Sequence, residues 1–408
     1  MEMLGSEDYV SRLDSPRAWR MVAAAFVSTF VVFGISYSFG AFFKPMAAEF
    51  GASQSATSAF FSITVFLYSM LGPVAGHLAD RFGPKPVLAT GAVAVGVGLL
   101  ATSSIDRLWV GYLTYGIGMG IGIASAYVPT VAVVGGWFLR RRNTALGIAV
   151  AGIGGGTLCM APISAALIAR FGWREAYAII GLAGATMLGI CAGLIERPPV
   201  PVAPAKFSIA QTLRAPSFLM LYASSFFSSM ALFIPFVFLP GSAREHGASE
   251  VAAATLVGLI GGASVVGRMG MGAIADRLGV IRLYQVCFFV LALSYLIWLA
   301  ASSYPILVLF ALVMGVGYGG YVALSPAVLA ELFGTQRLGA VLGVLYTGGG
   351  VGALIGPPLA GFVIDHTGGY RWAIALAFAI SSMGWVSLIP LELHPPEPAG
   401  AIEFTSEG

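Results

Sequence analysis

The chain has 408 residues, 58% of them hydrophobic and only 10% charged, with a mean hydropathy of +0.89. Soluble chains are usually about a quarter charged, so this composition excludes an ordinary soluble domain and points to a polytopic membrane protein. Lys and Arg number 21 against 18 Asp and Glu, a dispersed net charge of +3 that offers no patch for nucleic acid.

The first twenty residues are polar and contain no short apolar run ending at a cleavage site, so the first span itself is expected to direct insertion. Hydrophobic runs between short polar breaks then predict an all-α integral membrane fold of twelve transmembrane helices. The spans fall at about 20–42, 55–77, 86–105, 108–135, 144–169, 174–195, 216–240, 251–275, 282–303, 305–331, 339–364 and 371–392. One set of loops and flanks collects fourteen basic residues: Arg12, Arg17, Arg20, Arg81, Lys85, Arg140, Arg141, Arg142, Arg197, Lys206, Arg214, Arg277, Arg282 and Arg337. The other collects six: Lys44, Arg107, Arg170, Arg174, Arg244 and Arg371. The positive-inside bias places both termini in the cytoplasm, with the chain in the cell membrane. Cys159, Cys191 and Cys287 lie in apolar spans without metal spacing, and His77, His246, His366 and His394 fall at span ends or loops. No disulfide framework, metal site or cofactor is expected.

Residues 196–215, ERPPVPVAPAKFSIAQTLRA, form the longest internal loop, with four prolines in its first half. They divide the chain into six-span halves, 1–195 and 216–408. The halves repeat: Gly76-His-Leu-Ala-Asp-Arg-Phe-Gly83 follows span 2, and Gly272-Ala-Ile-Ala-Asp-Arg-Leu-Gly279 follows span 8, 196 residues later. At the same offset the Gly-rich start of span 5 at Gly147 faces that of span 11 at Gly343. Two pseudo-symmetric bundles around a central site are the layout of a rocking transporter.

One full charge lies deep in a span: Arg268 in TLVGLIGGASVVGRMGMGAIA. Eight residues before Asp276, it sits about 12 Å inside the helix end. A guanidinium there needs a partner or a wet cavity, and the sequence supplies no acid well inside a span to pair with it. The missing anion is expected to be the substrate. No Walker motif and no catalytic constellation occurs in the spans, so neither ATP-driven transport nor an enzyme is expected.

The G-x-L-A-D-R-F-G-x-K motif at 76–85, echoed at 272–279, resembles the signature of the major facilitator superfamily. That resemblance implies alternating access, with Asp80, Arg81, Asp276 and Arg277 as gating residues that latch the outward-open form. Trp137-Phe-Leu-Arg-Arg-Arg-Asn-Thr-Ala-Leu-Gly147, Phe42-Phe43-Lys44 and the Arg of Gly267-Arg-Met-Gly-Met-Gly272 resemble monocarboxylate transporters and their bacterial oxalate/formate relatives. The resemblance implies that Arg268 binds a small monocarboxylate anion. Animal members have an acid where this chain has Ser264 and a Lys where it has Tyr37, so the pair that would carry a coupled proton is absent. Oxalate exchangers have a second cation in span 11, and this chain has none there; one cation suits one carboxylate.

Around Arg268, Ser264 lies one turn earlier on the same face. Tyr318 and Tyr321 share a face of span 10, and Tyr115, Tyr127, Tyr37 and Tyr346 lie within spans 4, 4, 1 and 11. Phenols can hydrogen-bond a carboxylate while lining an apolar pocket. The reading is a monomeric transporter of lactate- or pyruvate-like acids, by proton symport, uniport or exchange. The alternatives are an exporter of amphipathic drug-like compounds, disfavoured by the lack of a buried acid, an organic-anion exchanger, and a transport-dead sensor, disfavoured by short tails.

Overall fold

The computed structural model describes residues 13–199, 214–334 and 338–392, all helix and connecting turns. Twelve helices are long and apolar enough to cross a membrane. They are α1 (Pro16–Phe50), α2 (Gln54–Phe82), α3 (Pro84–Thr102), α4 (Leu108–Trp137), α5 (Arg142–Phe171), α6 (Trp173–Leu194) and α7 (Pro216–Glu245), then α8 (Glu250–Leu278), α9 (Val280–Leu299), α10 (Tyr304–Phe333), α11 (Leu338–Thr367) and α12 (Arg371–Val386). Most of the expected linker, and Arg12, Lys206, Arg337 and His394, lie outside the described residues.

The sequence repeat is also a repeat of turns. Gly51 and Gly247, Gly83 and Gly279, and Gly172 and Gly368 all have positive φ, each pair 196 residues apart. A side chain is strained in that region, so these positions require Gly. Ser53 caps α2 through the amide of Ala56, as Ser249 caps α8 through that of Ala252. Packing follows the same symmetry. α1 packs on α5 as α7 packs on α11; α2 on α4 as α8 on α10; α3 on α6 as α9 on α12. The bundles meet along α2–α11 and α5–α8, contacts that the repeat exchanges. Small residues allow close approach there: a Cβ on Gly154 would sit 2.5 Å from the carbonyl of Gly261.

Several helices run past the span ends read from the sequence, and in two of them the extension follows a break. α1 breaks at Ser38 and continues to Phe50; α7 breaks at Phe233 and continues to Glu245. These extensions pack on each other, with Phe43 on Phe238 (5.2 Å) and Gly40 against the carbonyl of Phe236. They close the face opposite the Arg-rich loops, called here the far face; the other is the basic face. Across the far face Asp365, at the end of α11, accepts from the amides of Gln54 (2.8 Å) and Ser55 (3.1 Å) at the start of α2. Lys44 also meets Glu250 at 3.8 Å, but both side chains are more than half exposed. At the basic face, residues 139–144 are exposed, and α4 and α10 make no extended contact.

Exposed ion pairs contribute about 0–1 kcal/mol, whereas a carboxylate on a helix N-terminus adds charge-assisted bonds to the dipole's attraction. Asp365 is therefore the stronger far-face tie. Asp365→Ala is expected to raise the alkylation rate of a cysteine at Ser58, buried on α2 below the seal, by about fivefold; Lys44→Ala should change it less than about twofold. Both are measured in a Cys159→Ser background.

Candidate functional site

Arg268 sits on α8 ten residues before its end, about 15 Å along the axis. Its Nη1 donates to the carbonyl of Val150 on α5 at 3.0 Å, so the cation spans the two bundles. Its Nε and Nη2 are buried and have no hydrogen-bond partner among the described residues. No ion pair among the described residues involves it. The guanidinium carbon stands 5.7 Å from the ring centre of Tyr318. Insertion scales put a mid-membrane Arg at about 2.5–3.5 kcal/mol, and one bond from a charged donor returns about 1.5–3 kcal/mol. The charge is left under-compensated, with one edge of the fork unused.

Tyr318 is one of six tyrosines that lie near one another where the bundles meet. Tyr318 and Tyr37 hydroxyls lie 3.5 Å apart, and Tyr68 on α2 lies near them, its ring 5.8 Å from Phe33, which in turn lies 5.5 Å from Tyr37. Tyr127 on α4 and Tyr346 on α11 lie within electrostatic reach of Arg268 and of Tyr318. Tyr321 packs 6.0 Å from Tyr318 and neighbours Tyr346 and Tyr68. Three of the phenols come from each bundle. Toward the far face the cluster ends in phenylalanines: Tyr37, at the α1 break, lies 4.5 Å from Phe236, and Phe61 lies 5.7 Å from Phe233.

Of the residues singled out in the sequence, the structure thus brings Arg268, Tyr37, Tyr127, Tyr318, Tyr321 and Tyr346 together. Tyr115 lies elsewhere. It is fully buried inside the first bundle against Phe39, Phe60 and Tyr177, in a π-helical turn over Tyr112–Ile117. Ser264 is adjacent in sequence but donates its proton to the carbonyl of Gly261 (2.7 Å) and lies in the α5–α8 contact beside Gly154. Tyr68 was missed, although the repeat points to it: Tyr68 plus the offset of 196 is position 264. Likewise Val150, whose carbonyl holds Arg268, is the repeat position of Tyr346.

At the basic face, Asp80 and Arg81 are exposed, and Asp80 makes no ion pair among the described residues. Arg197 reaches the carbonyl of Arg81 at 3.2 Å. Arg277 is exposed, and the side chain of Asp276 lies outside the described set. The Trp137–Arg142 stretch is tied structurally. Asp14 accepts from the amides of Arg140 (3.1 Å), Arg141 (3.2 Å) and Leu139 (3.4 Å). Those bonds, Arg140's foremost, hold its carboxyl below the usual carboxylate range, so the tie is present at neutral pH and lost as pH falls through that lowered value.

The family model of the Major Facilitator Superfamily matches residues 25–280 and 221–406. Monocarboxylate transporter 3 of Rattus norvegicus is 31% identical over 382 residues, covering 89% of this chain and 77% of the relative. Monocarboxylate transporter 13 of Bos taurus is 29% identical over 387 residues, covering 92% and 90%. Among solved structures, a bacterial homologue of the human lysosomal transporter Spinster, inward-facing and unoccupied, superposes with a TM-score of 0.74 at 14% identity over 95% of this chain and all of the other; that likeness concerns the fold.

Two conservative substitutions separate satisfied from unsatisfied phenols. Tyr37→Phe removes the hydroxyl paired with Tyr318 and is expected to lower the unfolding temperature in detergent by about 1–2 °C. Tyr115→Phe removes a buried hydroxyl that has no partner and should leave the temperature unchanged or raise it. Differential scanning fluorimetry reads both.

Proposed function

The chain belongs to the major facilitator superfamily as a transporter of the monocarboxylate transporter type, and on that premise we propose that it carries small monocarboxylates, of the lactate and pyruvate kind, across the cell membrane by alternating access. The observation that carries the reading is the free Nε/Nη2 edge of Arg268, buried among phenols at the meeting of the bundles. That edge is a two-donor fork matched to one carboxylate. Tyr127 and Tyr346, one from each bundle, lie within electrostatic reach of Arg268, and we assign their hydroxyls as further donors to the anion. A bound anion would neutralise the charge and touch both bundles at once, the condition for substrate to bias a rocking motion.

We take residues 1–195 and 216–408 as the two rocking bodies, joined by 196–215, and the working unit as a monomer, because one chain supplies the whole site. Both termini are assigned to the cytoplasm on the loop charge bias, which makes the basic face cytoplasmic and the Asp80 and Asp276 loops its latch in the opposite state.

The same observation favours exchange as the coupling. With no carboxylate paired to Arg268 among the described residues, the empty carrier would move a buried unpaired cation through the membrane, whereas the loaded carrier moves a neutral pair. Return with a second anion avoids that cost. A proton enters this scheme only with the substrate.

Uptake of labelled pyruvate into proteoliposomes tests the reading. Wild type should accumulate it, and Arg268→Ala should lose about two orders of magnitude in uptake rate at limiting substrate. Exchange predicts stimulation by internal pyruvate with or without a pH gradient; proton symport predicts uptake driven by outside acid alone. Equal transport by Arg268→Ala would refute the carboxylate assignment.

A further inference from the structure

We propose that the groove between α2 and α3 holds one acyl chain of an anionic phospholipid from the leaflet at the basic face, with its phosphate held by Arg81, Lys85 and Arg197. The proposal is independent of the reading of Arg268.

The groove offers about 350 Å³ of open space. Leu71, Leu78 and Phe82 of α2 form one wall, Val87 of α3 the other, and Ala124 and Ser125 of α4 the floor. It lies on the side of α2 away from the second bundle. Ser69 and Pro73 are the α2 residues that meet α11, at Gly350 and Gly343, whereas Val74, Leu78 and Phe82 are exposed. From Leu71 to Phe82 the wall runs about 16 Å along the helix, close to the hydrocarbon depth of one leaflet, about 15 Å. The lining is apolar apart from the hydroxyls of Ser125 and Thr90, and Thr90 donates to the carbonyl of Pro86 within its own helix (2.9 Å).

The internal repeat marks this space as particular to the first bundle. Ala75 and Ser125 stand where the second bundle has Met271 and Tyr321, 196 residues on. There Met271 lies against Gly320, and Tyr321 packs on Phe288 at 5.0 Å, so side chains fill the equivalent position. Helix spacing differs in the same sense. α8 and α10 meet backbone to backbone, Gly267 on the carbonyl of Val316 and Gly319 on that of Ser264, whereas α2 meets α4 through the side chain of Val128 at Gly72 and Gly76. Small residues between helices that side chains hold apart leave a slot that an apolar chain can pack.

Charge at the mouth selects the lipid. Phe82 ends the α2 wall, and the Arg81 guanidinium carbon stands 5.1 Å from its ring centre. Arg197 crosses the α2–α3 turn: its Nη2 donates to the carbonyl of Arg81 at 3.2 Å, and a Cβ on Gly83 would lie 2.8 Å from its Nε. Lys85 is exposed next to Pro86, which also lines the groove. His77 and Asp80 are the other titratable groups at this end of α2, and helical geometry turns them about 140–160° away from Phe82. Each Lys or Arg near a membrane surface favours an anionic lipid by about fivefold. A phosphatidylglycerol head brings one negative charge to this cluster; a choline head would add a positive one.

Native mass spectrometry of the purified full-length protein in detergent, with phosphatidylglycerol and phosphatidylcholine of identical acyl chains, tests the proposal. Wild type is expected to retain one phosphatidylglycerol per chain, with a preference of about tenfold over phosphatidylcholine. Lys85→Gln combined with Arg197→Gln should bring that ratio toward one, while Arg140→Gln combined with Arg141→Gln leaves it as in wild type. Ala75→Met, which installs the residue of the repeat position, should lower retention of both lipids by about fivefold. Size-exclusion chromatography identifies variants that have not folded, and the exposed Lys85 and Arg197 keep the head-group test available if Ala75→Met is one of them. Equal retention of the two lipids by wild type overturns the proposal. So does a ratio that depends on Arg140 and Arg141 instead of Lys85 and Arg197, or undiminished retention by folded Ala75→Met.

Discussion

Arg268 gives one N–H to the carbonyl of Val150 and keeps Nε and Nη2 buried without a partner. In water such an arrangement would be trivial, because solvent would complete the shell. At the middle of a bilayer the same two groups carry a desolvation cost that the single bond does not remove. Among the described residues no carboxylate pairs with the cation, and it is only partly exposed. The fold sets the ring of Tyr318 against the cation; a phenol stabilises a positive charge through its ring face and can donate to a negative one through its hydroxyl. On the proposed reading, the protein holds one half of a neutral pair and the cargo supplies the other.

That half-site depends on both bundles. Arg268 comes from α8 and its backbone tether from α5, and these helices form one of the two close seams related by the internal repeat. Three phenols approach from each side. Any motion that parts α5 from α8 changes what the guanidinium can reach, so under the proposed mechanism occupancy would bias rocking through these contacts without a dedicated relay. The far-face seal is built differently, from phenylalanines, the helix extensions past Ser38 and Phe233, and the cap that Asp365 places on α2. Its polar ties are individually weak. That suits a gate, which must open at a cost of a few kcal/mol.

The twelve spans were legible because a bilayer forces each crossing to satisfy its backbone internally, which leaves long apolar runs with polar breaks. The repeat was legible for a related reason: Gly at a positive-φ turn and Ser at an N-cap are dictated locally, so they recur at a fixed offset wherever the fold recurs. Arg268 stood out because charge is rare in such a chain. The facing of the tyrosines was only partly legible. Spans that are apolar all round carry little helical periodicity, so Tyr115, buried among Phe39, Phe60 and Tyr177, could not be separated from Tyr127, which reaches the site. Ser264 illustrates the same limit: its position beside Arg268 was plain, but Gly154 and Gly319 pack so closely on that turn that the hydroxyl bonds its own helix. Tyr68 was within reach through the repeat. The extensions of α1 and α7 were not, since Lys44, Glu49, Arg244 and Glu245 mimic the polar end of a span while the helix continues above the membrane core.

The thermal stability of Arg268→Met, with and without a carboxylate, tests the central claim most directly. Methionine keeps the length and apolar bulk of the side chain and removes the charge. If Arg268 is a ligand awaiting an anion, the variant without substrate unfolds at the same temperature as wild type or higher, because a buried unpaired charge has been removed. Saturating pyruvate should then stabilise wild type and leave the variant unmoved. If the variant instead unfolds several degrees below wild type and pyruvate shifts neither protein, Arg268 is a structural strut bound to Val150, and the account of the site is wrong.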